Sequence, residues 1–160
     1  MKRGFSVPDT KEVSRMLTFL LGREVKVAKG SRIRTGARDV YTLAVFVNEA
    51  KEPVGMCATD FGMAANVGAA LSLFPPHKAR QCVKDLEIEG EIWENALEVY
   101  NVVSRFFHDG HEGMVHLGPT YQNGDDVPRD IKRLMRRSKA RVDLVVDIQG
   151  YGRGTMALIG

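Results

Sequence analysis

The stretch from Val40 to Thr59, VYTLAVFVNEAKEPVGMCAT, decides the fold. Two apolar, β-rich runs, Val40 to Val47 and Val54 to Thr59, flank the short polar connection Asn48-Glu49-Ala50-Lys51-Glu52-Pro53. A connection of that length and polarity makes the two runs an antiparallel hairpin.

On the N-terminal side, Lys29-Gly30-Ser31-Arg32 through Gly36-Ala37-Arg38 has the composition of a basic loop. Before it, Arg23 to Ala28 alternates charged and aliphatic residues as a half-buried strand does. Val13, Met16, Leu17, Leu20 and Leu21 then recur at helical spacing, with Asp9 and Thr10 as caps and Gly22 as the stop.

On the C-terminal side, Phe61 to Phe74 is small and apolar, suiting a helix packed closely on a sheet, and Pro75-Pro76 ends it and opens a second helix. A long helix runs from Glu91 to His108, broken by Gly110 and Gly113, before a short strand from Met114 to Leu117. A linker with Asn123-Gly124-Asp125-Asp126 leads to a basic amphipathic helix from Pro128 to about Ser138. Strand Val142 to Ile148, the turn Gly150-Tyr151-Gly152 and a strand ending near Ile159 close the chain as a second hairpin.

Residues 9 to 60 and 91 to 159 share one order of elements: helix, short strand, long connection, strand, tight hairpin, strand. That repetition predicts an α/β (α+β) fold in which two pseudo-twofold halves complete one mostly antiparallel six-stranded sheet with helices covering a face. The chain of 160 residues, 44% hydrophobic, is expected to be a single domain spanning 1–160 with an adequate core. Its 23 basic and 20 acidic residues leave a net charge of +3, too mild to imply nucleic acid. Cys57 and Cys82 read as core thiols of a reducing compartment. No stretch approaches the roughly 20 apolar residues that span a bilayer, so the expected location is the cytoplasm, with no membrane association.

In the long helix, Glu94, Glu98, Asn101 and Arg105 lie at i, i+4, i+7 and i+11, which gathers them into one polar stripe on an otherwise apolar helix. A carboxylate and a carboxamide one turn apart can pair with a cation and orient a water. Ordinary helical ion pairs on a solvated face account for the same spacing.

Glu98-Val99-Tyr100-Asn101 matches the Glu-x-x-Asn core of the phosphatase helix of the CheC, CheX and FliY proteins. Asn66-Val67-Gly68-Ala69-Ala70-Leu71-Ser72-Leu73 after a hairpin, a proline-broken helix pair, and Glu94 to Asn101 together resemble the middle of CheX, and the element order resembles that family over nearly the whole chain. The resemblance implies that Glu98 docks on the lysine of a phosphorylated CheY-type response regulator and that Asn101 orients the water attacking its phosphoaspartate. Glu94 and Arg105 would contact the same partner. It also implies no cofactor on this chain, since the Mg2+ belongs to the regulator, and allows a homodimer through an edge strand. The alternative is a non-catalytic binding module like the FliM middle domain.

The sequence departs from the family pattern in three places. Glu94 stands where aspartate or serine is usual; Gly124 stands where a proline is usual, with Pro119 placed to take its structural part; and Glu12-Val13-Ser14-Arg15 replaces a second Glu-x-x-Asn, leaving at most one site.

His108, His111 and His116 near Asp109 and Glu112 have only a superficial likeness to a metal cluster, and His108 is accounted for by the helix dipole. The basic run Arg129 to Arg141 lacks aromatic interleaving, so an acidic protein suits it better than nucleic acid. Gly150-Tyr151-Gly152-Arg153-Gly154 lacks the following helix and lysine-serine pair of a phosphate loop.

Overall fold

The protein was analysed as a computed structural model, which describes residues 5–108 and 113–160. In chain order its elements are α1 (Thr10–Leu21), β1 (Val25–Lys29), β2 (Thr42–Val47), β3 (Pro53–Thr59), α2 (Phe61–Leu71), α3 (Pro76–Asp85) and α4 (Gly90–Val103). A 3-10 turn, Ser104–Phe107, leads to β4 (His116–Tyr121), α5 (Arg129–Arg137), β5 (Arg141–Ile148) and β6 (Gly152–Ile159). The described strands form one antiparallel six-stranded sheet in the order β1-β5-β6-β3-β2-β4.

That order is a pseudo-twofold. Exchanging β1 with β4, β2 with β5 and β3 with β6 reverses it onto itself, and the axis passes between β3 and β6. Each half sends its short first strand across to pair with the other half, β1 on β5 and β4 on β2. The two short strands are therefore the sheet edges.

Local chemistry sets the helix ends. Asp9 accepts the Glu12 amide at 2.8 Å at the start of α1, and Gly22, at φ 65°, closes it by returning its amide to Thr18. Asp60 caps α2 through the Met63 amide at 2.7 Å and also accepts the Thr155 hydroxyl at 2.8 Å, which ties the helix start to β6. Along α2 almost every residue is buried, because the helix lies between the sheet and α4. Glycines permit that approach on both sides: a Cβ at Gly154 would lie 2.6 Å from the Met63 Cβ, and one at Gly68 only 2.1 Å from the Ile92 carbonyl oxygen.

The core has two parts. Ala44, Phe46, Val142, Leu144, Val146 and Ile148 face α1, α2 and α4. Leu43, Val45, Ala58 and Ala157 face the other way, under Ile131 and Met135 of α5, with Ile33 and Val127. Both faces of the sheet are thus covered, where the sequence pattern suggested helices on one. This explains why β2 is a continuous apolar run while β5, beyond the reach of α5, alternates buried and half-buried residues.

Two elements depart most from expectation. The long helix ends as an α-helix at Val103 rather than His108, and the chain tightens into the 3-10 turn. That turn brings the Phe107 ring onto Gly55, between Phe5 and Phe46, with ring centroids 4.3 and 4.9 Å away. The strand expected at Met114 to Leu117 is β4, His116–Tyr121, and includes Gly118 and Pro119. Proline is tolerated there because β4 is an edge. Among the described residues no helix is long and apolar enough to cross a membrane.

Candidate functional site

The polar stripe of α4 is set by what the rest of the helix buries. Ile92, Ala96, Val99, Tyr100 and Val103 are buried, leaving Glu94, Glu98 and Asn101 exposed along the outer face. Two contacts fix the helix's rotation about its axis. Tyr100 reaches into the sheet, where its hydroxyl lies 2.9 Å from Thr59 Oγ1, itself 2.5 Å from Thr42 Oγ1. Asn95 Nδ2 donates to the Gly68 carbonyl at 3.0 Å and to Ser72 Oγ at 2.9 Å, locking α4 to α2.

Asn101 is anchored on the other side. Its carboxamide oxygen accepts a hydrogen bond from the Leu117 backbone amide of β4 at 3.2 Å. The side chain is exposed yet oriented, and its Nδ2 group has no protein partner among the described residues. Glu94 and Glu98 form no ion pair among the described residues, so the ordinary helical pairing that could account for the stripe is not made.

The structure brings Glu94, Glu98 and Asn101 together and sets Arg105 apart. Arg105 falls in the 3-10 turn beyond the end of α4. It borders instead an open groove of about 560 Å³ with Glu12, Arg15, Phe19 and Phe106. Gly124 lies on the opposite face of the sheet, buried against the Tyr41 ring, where a Cβ would meet the ring at 2.3 Å. A proline cannot take that place. Pro119 sits in β4, two positions beyond the amide that holds Asn101.

At α1, Glu12 and Arg15 are exposed, while Ser14 turns inward and donates to the Val25 carbonyl at 2.6 Å. Among the described residues no group of three or more potential metal ligands is assembled. His108 Nε2 lies 2.8 Å from the Val115 carbonyl oxygen, a contact that restrains the chain before β4. Asp109, His111 and Glu112 lie outside the described residues. Cys57 and Cys82 are both buried and free, and burial pushes the Cys57 thiol well above its ordinary range.

Sequence reasoning missed the Leu117 amide and the Tyr100–Thr59–Thr42 chain. The first is a backbone group and leaves no trace in residue type. The second had a signal: Thr42 and Thr59 are the outer residues of the hairpin and stand directly opposite each other in its register.

No family model matches the sequence, and no curated protein matches it. Solved structures do. The architecture is that of the FliM middle domain, a single sheet completed by two pseudo-twofold halves. In particular it is similar to the FliM middle domain of H. pylori. The FliM of a FliM–SpeE complex superposes with a TM-score of 0.63 at 12% identity, covering 94% of this chain and 80% of that one. The isolated H. pylori FliM middle domain gives 0.54 at 11%, covering 94% and 83%. The FliM middle domain of Vibrio alginolyticus gives 0.50 at 11%, covering 94% and 87%. At these identities the likeness establishes the fold.

Proposed function

We propose that the chain docks on a phosphorylated, CheY-type response regulator and hydrolyses its aspartyl phosphate, using Glu98 and Asn101. One observation supports this reading above others: Asn101 presents an oriented carboxamide at the surface, its oxygen held by Leu117, one turn beyond the unpaired carboxylate of Glu98. The Nδ2 group donates to the oxygen of a water, and the second lone pair of Oδ1 accepts one of its hydrogens. That water attacks phosphorus in line, the bond from phosphorus to the aspartyl oxygen breaks, and a carboxylate and inorganic phosphate leave. Glu98 pairs with a lysine of the regulator, Glu94 extends the acidic contact, and Arg105 meets the partner at the neighbouring groove. The regulator brings its own Mg2+, and the encounter takes place in the cytoplasm. The test is the lifetime of the phosphorylated regulator with and without this protein, and with Asn101→Ala and Glu98→Ala variants.

A second reading is a non-catalytic protein-binding module, and the Asn101–Leu117 contact favours it too, since it gives the asparagine a structural task at a sheet edge. FliM, whose middle domain has this fold, has been crystallised with SpeE and with FliG. Regulator binding with unchanged phosphate lifetime would select this reading.

A further inference from the structure

The face of the sheet opposite α4 carries a concentration of positive charge that the proposed activity does not use. Between 129 and 141 the sequence has seven arginines and lysines and one aspartate. Arg129, Arg133, Arg136, Arg137 and Lys139 are exposed, and none takes part in an ion pair among the described residues. Dipole compensation explains only Arg136 and Arg137, in the last turn of α5; Arg129 stands at the wrong end. Arg129 and Arg133, Lys132 and Arg136, and Arg133 and Arg137 are like charges at i, i+4, an arrangement that opposes helix formation.

The basic loop between β1 and β2 lies on the same face. Ile33 packs in the core under α5, its amide donates to Asp143 at 2.9 Å, and its carbonyl accepts from Arg141 at 3.3 Å. This anchor leaves Arg32 and Arg34 exposed on either side of it. Beside α5 opens a cleft of about 340 Å³, floored by Val54, Met56 and Ile159 and rimmed by Leu134, Arg137 and Lys139. Leu134 is 43% exposed.

We propose that this face binds an acidic segment of a partner protein that inserts an apolar side chain into the cleft. The charge selects an anion, and the chemistry of the cleft selects the kind. Its lining offers no aromatic ring on which a base could stack, which disfavours single-stranded nucleic acid. It is concave and rimmed by charge, whereas a bilayer surface takes a protruding apolar face. A peptide with carboxylates flanking a leucine satisfies both the basic rim and the apolar floor. The proposal is independent of the reading at α4, which lies across the sheet.

Fluorescence anisotropy with the full chain tests it, using a short glutamate-rich helical peptide with leucines along one face. The comparison probes are the same peptide with serines for leucines, a DNA oligonucleotide of equal charge, and vesicles containing phosphatidylserine. The leucine peptide is expected to bind at least about tenfold more tightly than the serine peptide, the DNA or the vesicles, and to weaken with salt. Combined R133E, R136E and R137E substitutions, at exposed positions that leave the melting profile intact, reduce its affinity at least about tenfold. Leu134→Ser weakens the leucine peptide alone, and Asn101→Asp leaves the affinity for the peptide unchanged. Equal or tighter binding of DNA, vesicles or the serine peptide overturns the proposal, as does affinity indifferent to the charge reversals.

Discussion

The Asn101 carboxamide oxygen and the Leu117 amide, 3.2 Å apart, join the exposed face of α4 to the edge of the sheet. This one bond orients the side chain on which the proposed chemistry depends and satisfies a backbone donor on an edge strand. The two roles are separable because they use different atoms. Asn101→Asp keeps an acceptor for Leu117 and loses the amino group, whereas Asn101→Ala loses both. In thermal or chemical unfolding, Asn101→Ala is expected to cost about 1 kcal/mol and Asn101→Asp less.

The hydroxyl chain from Tyr100 through Thr59 to Thr42 lies wholly in the core, where an unmatched polar group costs more than an exposed one. Tyr100→Phe removes one end and leaves the threonine pair intact. The expected loss is about 1 to 2 kcal/mol in denaturant unfolding, with the helix content of the native state unchanged. Thr59→Val, which removes the central group and leaves the tyrosine hydroxyl only a longer contact of 3.4 Å to Thr42, costs more than Tyr100→Phe.

Gly68 sets the distance between α2 and α4. Alanine there places its methyl against the Ile92 backbone, which cannot move aside as a side-chain tip can. Gly68→Ala is expected to destabilise by roughly 1 to 3 kcal/mol and to displace α4, so that any activity at Asn101 falls with it. Unaltered stability would show that the two helices are not so closely fitted.

Asp143 carries a pH signature. Burial opposes its charge, but hydrogen bonds from the Arg141 guanidinium and the Ile33 amide, with the charge of Arg141, outweigh that and hold its carboxyl below its ordinary value. A carboxyl depressed in the folded state stabilises fully above its unfolded value, near 3.8, and loses that contribution as pH falls through the folded value. Stability measured from neutral pH downward should therefore show an acid-side loss that Asp143→Asn lacks. Identical slopes for the two proteins would remove the assignment.

The fold was legible where chemistry is local. The hairpin from Val40 to Thr59, the Asp9 and Gly22 caps of α1 and the proline break after α2 all stand where the residues put them. The pseudo-twofold was legible too, because the two halves repeat their order of elements. What sequence could not supply was the crossing of β1 and β4 into opposite halves, which depends on sheet assembly. Nor could it foresee the early end of α4, since Arg105 continues the helical spacing and only the fit of Phe107 onto Gly55 tightens the chain. At the site, Glu94, Glu98 and Asn101 were readable as a stripe, because helix periodicity places them without tertiary information. The partner of Asn101 was not, because any residue offers the same backbone amide.

Catalysis by Asn101 is tested by the decay of a phosphorylated CheY-type regulator from the same cell, followed with no addition, with this protein, and with its Asn101→Asp variant. Faster decay is expected with the unaltered chain and the intrinsic rate with Asn101→Asp, although the variant remains folded and still binds the regulator. Equal acceleration by both proteins, or none by either, would contradict that role for Asn101.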